Sequence, residues 1–228
     1  MGPLRSGSTL DTMRFLHRFT QGELHLTRIE AFSDGVFAVA VTLLVLDLKV
    51  PVLNHHADVR ELAQALLDQL PKFLSWLISF IIVCKFWLNH HHLLGLARHA
   101  DYGFVWLNSI FLMGQSFIPF PTAMVGEYPG NALAVSFFGC VFAINTLLFM
   151  ALQAYLVRRL IKPELAALQD PHALRKAFVG PLSYLVGAAA AWFYTPAAFV
   201  VYALTPLFYI TPPHAYGQPR KEKPALER

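Results

Sequence analysis

Three consecutive histidines, His90, His91 and His92, close a long apolar run that also holds Lys85, Trp87 and Asn89, while a lone carboxylate, Asp34, lies inside an earlier apolar run beside Ser33. Imidazoles offer metal ligation or proton handling. Adjacent side chains on a helix point about 100° apart, so three in a row cannot converge on one metal as ligands at i and i+4 do. No second histidine cluster or carboxylate-rich motif completes such a site. A metalloenzyme would lack the rest of its ligands, and neither a cofactor nor catalysis is expected. The other reading of His91 and His92 is a wet belt with Trp87 at a membrane–water interface.

Membrane is the solvent that composition demands. Of 228 residues, 56% are hydrophobic and 14% charged, with a mean hydropathy of +0.47, against about 25% charged in a soluble domain. The apolar residues come in long blocks instead of recurring every three or four positions. A net charge of +4 invites a nucleic-acid reading, but the basic residues flank apolar blocks, where membrane topology accounts for them; no nucleic-acid partner is expected. Cys84 and Cys140 both lie within apolar blocks and form no disulfide framework.

Crossing about 30 Å of hydrocarbon takes roughly 20 apolar residues. Such spans are predicted at 29–48, 73–96, 103–125, 131–157, 177–194 and 197–212. The last two form one uncharged run, too long for a single helix and expected to break near Thr195-Pro196. Asp58 to Leu70 reads as a short amphipathic surface helix. Residues 1–27 are polar, with no apolar core of a signal peptide, so the first span is expected to insert as its own uncleaved signal. The Pro- and charge-rich segment 213–228 is expected to be disordered. Six crossings with both ends in the cytoplasm put 14 of the 18 Lys and Arg inside, as the positive-inside rule requires. An odd number of crossings would put the basic tail outside.

Within the first span, a helical wheel gathers Arg28, Phe32, Gly35, Val39, Thr42, Leu43 and Leu46 on one stripe, with Asp34 nearly opposite. A carboxylate in hydrocarbon calls for a partner. At about 1.5 Å per residue, Asp34 lies roughly 8 Å from the inner end and His90 about 9 Å, whereas Lys85 lies roughly 16 Å deep and would have to snorkel. His90 is the expected partner, with Asn89 and the Trp87 indole as further donors.

The run Arg28-Ile29-Glu30-Ala31-Phe32-Ser33-Asp34 resembles the Arg-x-x-x-Phe-Ser-Asp signature of the prokaryotic members of the transmembrane protein 175 family, relatives of the lysosomal potassium channel. Trp87-Leu88-Asn89-His90-His91, Trp106-Leu107-Asn108 and Phe117-Ile118-Pro119-Phe120-Pro121-Thr122 reinforce the resemblance, which covers about the first 125 residues. It implies an all-α, polytopic six-helix subunit without a re-entrant filter, a homotetramer whose first helices line the pore, and potassium as the ion carried across the cell membrane. Carried over, the narrowest ring is Val39, followed outward by Leu43 and Leu46 with a polar layer at Thr42. Val39 departs from the larger Ile or Leu usual at that position. Arg28, Phe32, Ser33, Asp34, Trp87, Asn89 and His90 would anchor the first helix against the second. A secondary transporter is the competing reading; such proteins show internal repeats and helices broken at the midplane, and Pro119, Pro121, Pro196 and Pro206 are expected near span ends.

Overall fold

The computed structural model describes residues 25–53, 58–166 and 177–208, all of whose regular elements are helical, with one isolated bridge between Ala97 and Ile161. The expectations for 1–24 and 213–228 lie outside these residues.

Helix α1, Leu26–Leu43, tightens into a 3-10 turn over Leu44–Asp47. The first span is thus not one regular α-helix to residue 48. Three residues per turn bring side chains at i and i+3 into line, so Leu46 stays in register with Leu43 despite the change of winding. Helix α2, Val59–Asp68, is the expected amphipathic segment, and Asp58 caps it by accepting from the Arg60 and Glu61 amides.

Helix α3, Leu70–Gly95, starts with Pro71 in its first turn, where the missing N–H is no loss. Helices α4, Tyr102–Phe117, and α5, Pro119–Glu127, meet at Ile118, whose dihedrals stay helical, and form one 26-residue apolar span. Pro119 and Pro121, expected near the end of a span predicted at 103–125, lie within the last turns of a span that ends at Glu127. Neither proline has an N–H to return to the preceding turn, yet Thr122 restores the ladder with its amide (3.2 Å) and hydroxyl (2.9 Å), both donating to the Ile118 carbonyl. The result is a span that runs past both prolines without an unwound gap.

Helix α6, Ala132–Arg159, is capped by Asn131 and ends on Arg158 and Arg159, cations suited to a helix C-terminus. After the short helix α7, Pro163–Ala166, the final apolar run divides as expected into α8, Val179–Ala190, and α9, Thr195–Phe208. Trp192, Phe193 and Tyr194 are exposed at their junction. Among the described residues, four helical stretches are long and apolar enough to cross a membrane: Leu26–Asp47, Leu70–Gly95, Tyr102–Glu127 and Ala132–Arg159.

Close approach of α6, α8 and α9 depends on two glycines beside Tyr202. A Cβ on Gly139 would stand 2.2 Å from the Tyr202 hydroxyl, and one on Gly187 2.3 Å from its ring. Tyr202 fills that space completely, is fully buried, and donates its hydroxyl to the Val135 carbonyl at 3.0 Å. At the opposite end of α6, Arg98 and Lys162 amides pair with the Leu160 and Leu96 carbonyls, tying the α3–α4 turn to the α6–α7 turn.

Candidate functional site

Two faces of α1 behave differently. Ser33, Phe37 and Ala40, followed by Leu44 of the 3-10 turn, are buried against α3 and α4. On the other side Phe32, Val39, Leu43 and Leu46 are 63, 57, 42 and 68% exposed. Arg28, Gly35 and Thr42 share this exposed face, and a Cβ built on Gly35 would meet nothing within 4 Å. The stripe drawn on the helical wheel is therefore a bare face running from Arg28 to Leu46. The Thr42 hydroxyl donates back to the carbonyls of Ala38 and Val39, at 3.0 and 2.9 Å. With its one proton so committed, the oxygen has only lone pairs left to present.

The opposite side of α1 is held by three polar links. The Trp87 indole N–H donates to the Asp34 carboxylate at 2.9 Å. One turn toward the N-terminus of α1, His91 Nδ1 lies 3.2 Å from the Glu30 carboxylate, and its ring stacks on that of Trp87. Glu30 and Asp34 are four residues apart on α1, as are Trp87 and His91 on α3, so the two helices run antiparallel with matched i, i+4 pairs. The third link is fully buried. His90 Nε2 meets Asn108 Oδ1 at 2.7 Å, Asn108 Nδ2 donates to Ser33 Oγ at 3.0 Å, and the Ser33 hydroxyl donates to the Ile29 carbonyl at 2.8 Å. Because an amide oxygen only accepts, this chain places the imidazole proton on Nε2. The His90 ring is stacked 5.8 Å from Phe111 and tilted against Phe37 at 5.5 Å.

The expected Asp34–His90 bond is thus corrected. Trp87 stands opposite Asp34; His90 lies three positions beyond it on α3, about 4.5 Å further along the axis and turned about 60° toward α4. Asn89, expected as a further donor, is half-buried and joins none of these bonds among the described residues. Arg28 and Phe32 are exposed and likewise contribute nothing to the anchor among those residues. The three histidines go to three places: His90 to Asn108, His91 to Glu30, and His92 to an exposed position. Sequence reasoning missed Glu30, His91 and Asn108 as anchors. Asn108 carried a usable signal, a carboxamide within an apolar span.

A second buried polar junction had no counterpart among the expectations. Gln115 on α4 donates to Asn145 on α6 at 3.0 Å, and a Cβ on neighbouring Gly114 would stand 2.5 Å from the Asn145 oxygen. Lys72 and Glu127 form an ion pair joining the first turn of α3 to the last turn of α5. These contacts fix the frame on which α1 is mounted.

Long apolar helices, carboxamides and hydroxyls bonded across helices, and a polar anchor in place of exposed charge define a multi-pass α-helical membrane protein. The family model for the endosomal/lysosomal potassium channel TMEM175 matches residues 28–119. A potassium channel of Chamaesiphon minutus is 38% identical over 168 residues, 71% of this chain and 82% of that one. A potassium channel of Streptomyces collinus is 34% identical over 189 residues, 80% of this chain and 90% of that one. The crystal structure of a lysosomal potassium-selective channel TMEM175 homolog from Chamaesiphon minutus matches with a TM-score of 0.67 at 34% identity, covering 80% of this chain and 95% of that chain. The chain belongs to the TMEM175 family.

Proposed function

We propose that this chain is a potassium-permeable cation channel of the cell membrane in which the bare stripes of α1 from four copies enclose the conduction path. The observation that carries the reading is the division of α1 into one face bonded to its own subunit and one apolar face left uncovered. A ring of identical copies covers that face without any other partner. The names of the two relatives support potassium as the ion.

Val39, Leu43 and Leu46 would each contribute one apolar ring. A narrow apolar neck sheds its water and sets a desolvation barrier, so widening the rings opens the path to a partly hydrated cation. Thr42, with only lone pairs to offer, suits a cation and not an anion. Asp34, turned toward Trp87, keeps its charge off the path and fixes the tilt of α1 against α3.

The full reading has six crossings, residues 28–212 forming the channel unit and residues 1–27 and 213–228 lying in the cytoplasm. Helices α8 and α9, of 12 and 14 residues, would cover about 18 and 21 Å, which calls for local thinning of the bilayer or for flanking residues at the interface. The aromatic trio Trp192, Phe193 and Tyr194 supports an interfacial junction between them.

Purified protein in a planar bilayer under a potassium chloride gradient is the test. Discrete current steps reversing near the potassium equilibrium potential are expected. A saturating flux coupled to a second ion, without steps, would point to a transporter instead.

A further inference from the structure

We infer that an anionic phospholipid occupies the groove between α4 and α6, its phosphate on Arg158 and Arg159 and one acyl chain against Leu107, Ala151 and Ala154. The groove has a volume of about 450 Å³, and these five residues line it together with Tyr155. Its chemistry is graded along α6. Ala151 and Ala154 offer a small-residue apolar floor, and Arg158 and Arg159, both exposed, stand one turn further on at the helix end.

Tyr155 is held where these halves meet. Its hydroxyl donates to the Asp101 carboxylate at 2.9 Å, and Gly103 makes room for it, since a Cβ there would stand 2.3 Å from the hydroxyl oxygen. The Arg159 guanidinium lies 5.6 Å from the centre of the Tyr155 ring, which fixes that cation over the groove. Asp101, the nearby acidic group, is occupied by the Phe104 amide and the tyrosine hydroxyl.

Depth agrees with a lipid occupant. Tyr102 and Trp106, one turn apart on α4, are 64 and 70% exposed at the same end of the bundle, as aromatic side chains at the headgroup level are. A soluble anion would gain nothing from the apolar floor of Leu107, Ala151 and Ala154. Charge complementarity and the amphipathic length of the groove therefore select a phosphate-bearing lipid, in the manner of basic pockets between membrane helices.

The test is native mass spectrometry of the full-length protein titrated with phosphatidylglycerol or phosphatidylcholine of the same acyl chains. Phosphatidylglycerol is expected to be retained roughly ten-fold more strongly, and the difference to vanish in the double variant Arg158→Ala/Arg159→Ala. Arg158→Lys/Arg159→Lys, which keeps the charge, restores it and controls for folding. Ala154→Trp fills the floor with both cations intact and is expected to release the lipid as well.

Equal retention of the two lipids would overturn the inference. So would phosphatidylglycerol binding that survives Ala154→Trp, which would reduce the site to a headgroup or free-phosphate contact. Loss of the oligomer in the double alanine variant with lipid binding unchanged would assign the groove to a second copy of the chain.

Discussion

The Trp87 indole donates to the Asp34 carboxylate at 2.9 Å, joining α3 to the side of α1 that faces away from its bare stripe. One bond therefore serves two ends: it satisfies a carboxylate within an apolar span, and it fixes which face of α1 remains uncovered.

Trp87→Phe keeps an aromatic ring and removes the donor. A hydrogen bond to a charged group is worth about 1.5–3 kcal/mol, so the variant should melt measurably lower in detergent, whereas Trp106→Phe, on an exposed ring of α4, should not. Equal melting of the two variants would show that the indole bond does not hold α1.

Asn108→Leu strips partners from His90 and Ser33 at once. Inter-helix hydrogen bonds in membranes average about 0.6 kcal/mol and reach nearly 2, and two are lost here. The expected loss, on the order of 1–3 kcal/mol, should exceed that of Asn89→Leu, a neighbouring carboxamide outside the anchor. Unfolding curves of the two variants in the same detergent decide the order.

Gly139→Ala forces a methyl into the Tyr202 hydroxyl, and overpacking of this kind costs about 1–3 kcal/mol. Adding Tyr202→Phe should recover part of the loss. Recovery stays incomplete because the Tyr184 carbonyl is also only 2.8 Å from the new Cβ, and because the bond to Val135 goes with the hydroxyl. A thermal double-mutant cycle measures the coupling.

Much of this arrangement was legible in the chain before any coordinates. The long spans follow from apolar blocks whose ends are marked by Pro71, Asn131 and the Arg158-Arg159 pair, so predicted limits of 73–96 and 131–157 fall within a few residues of Leu70–Gly95 and Ala132–Arg159. The stripe on α1 followed from helical periodicity alone. Two things did not follow. Counting residues brings His90 near Asp34 but fixes neither the register of α3 against α1 nor the direction the ring faces, which depends on where α4 packs; Trp87 therefore took Asp34, and Asn108 took His90. The span predicted at 103–125 already ran past Pro119, but nothing in the chain showed that Thr122 would bond back to Ile118 beyond it.

Leu43 and Leu44 are adjacent, yet one is 42% exposed on the stripe and the other 2% exposed in the core. Leu44→Ala should therefore destabilise the subunit by about 2–5 kcal/mol, while Leu43→Ala should leave the melting temperature nearly unchanged and raise conductance by widening its ring. Thermal melts paired with single-channel amplitudes separate the two effects.

The central claim, that ions pass along the bare face of α1, is tested most directly by recording Leu43→Cys and Leu44→Cys in bilayers before and after a charged methanethiosulfonate reagent. Block of the Leu43→Cys current with the Leu44→Cys current untouched is the predicted result. An unmodified current through Leu43→Cys, from protein shown by mass to be labelled at that cysteine, would contradict the account.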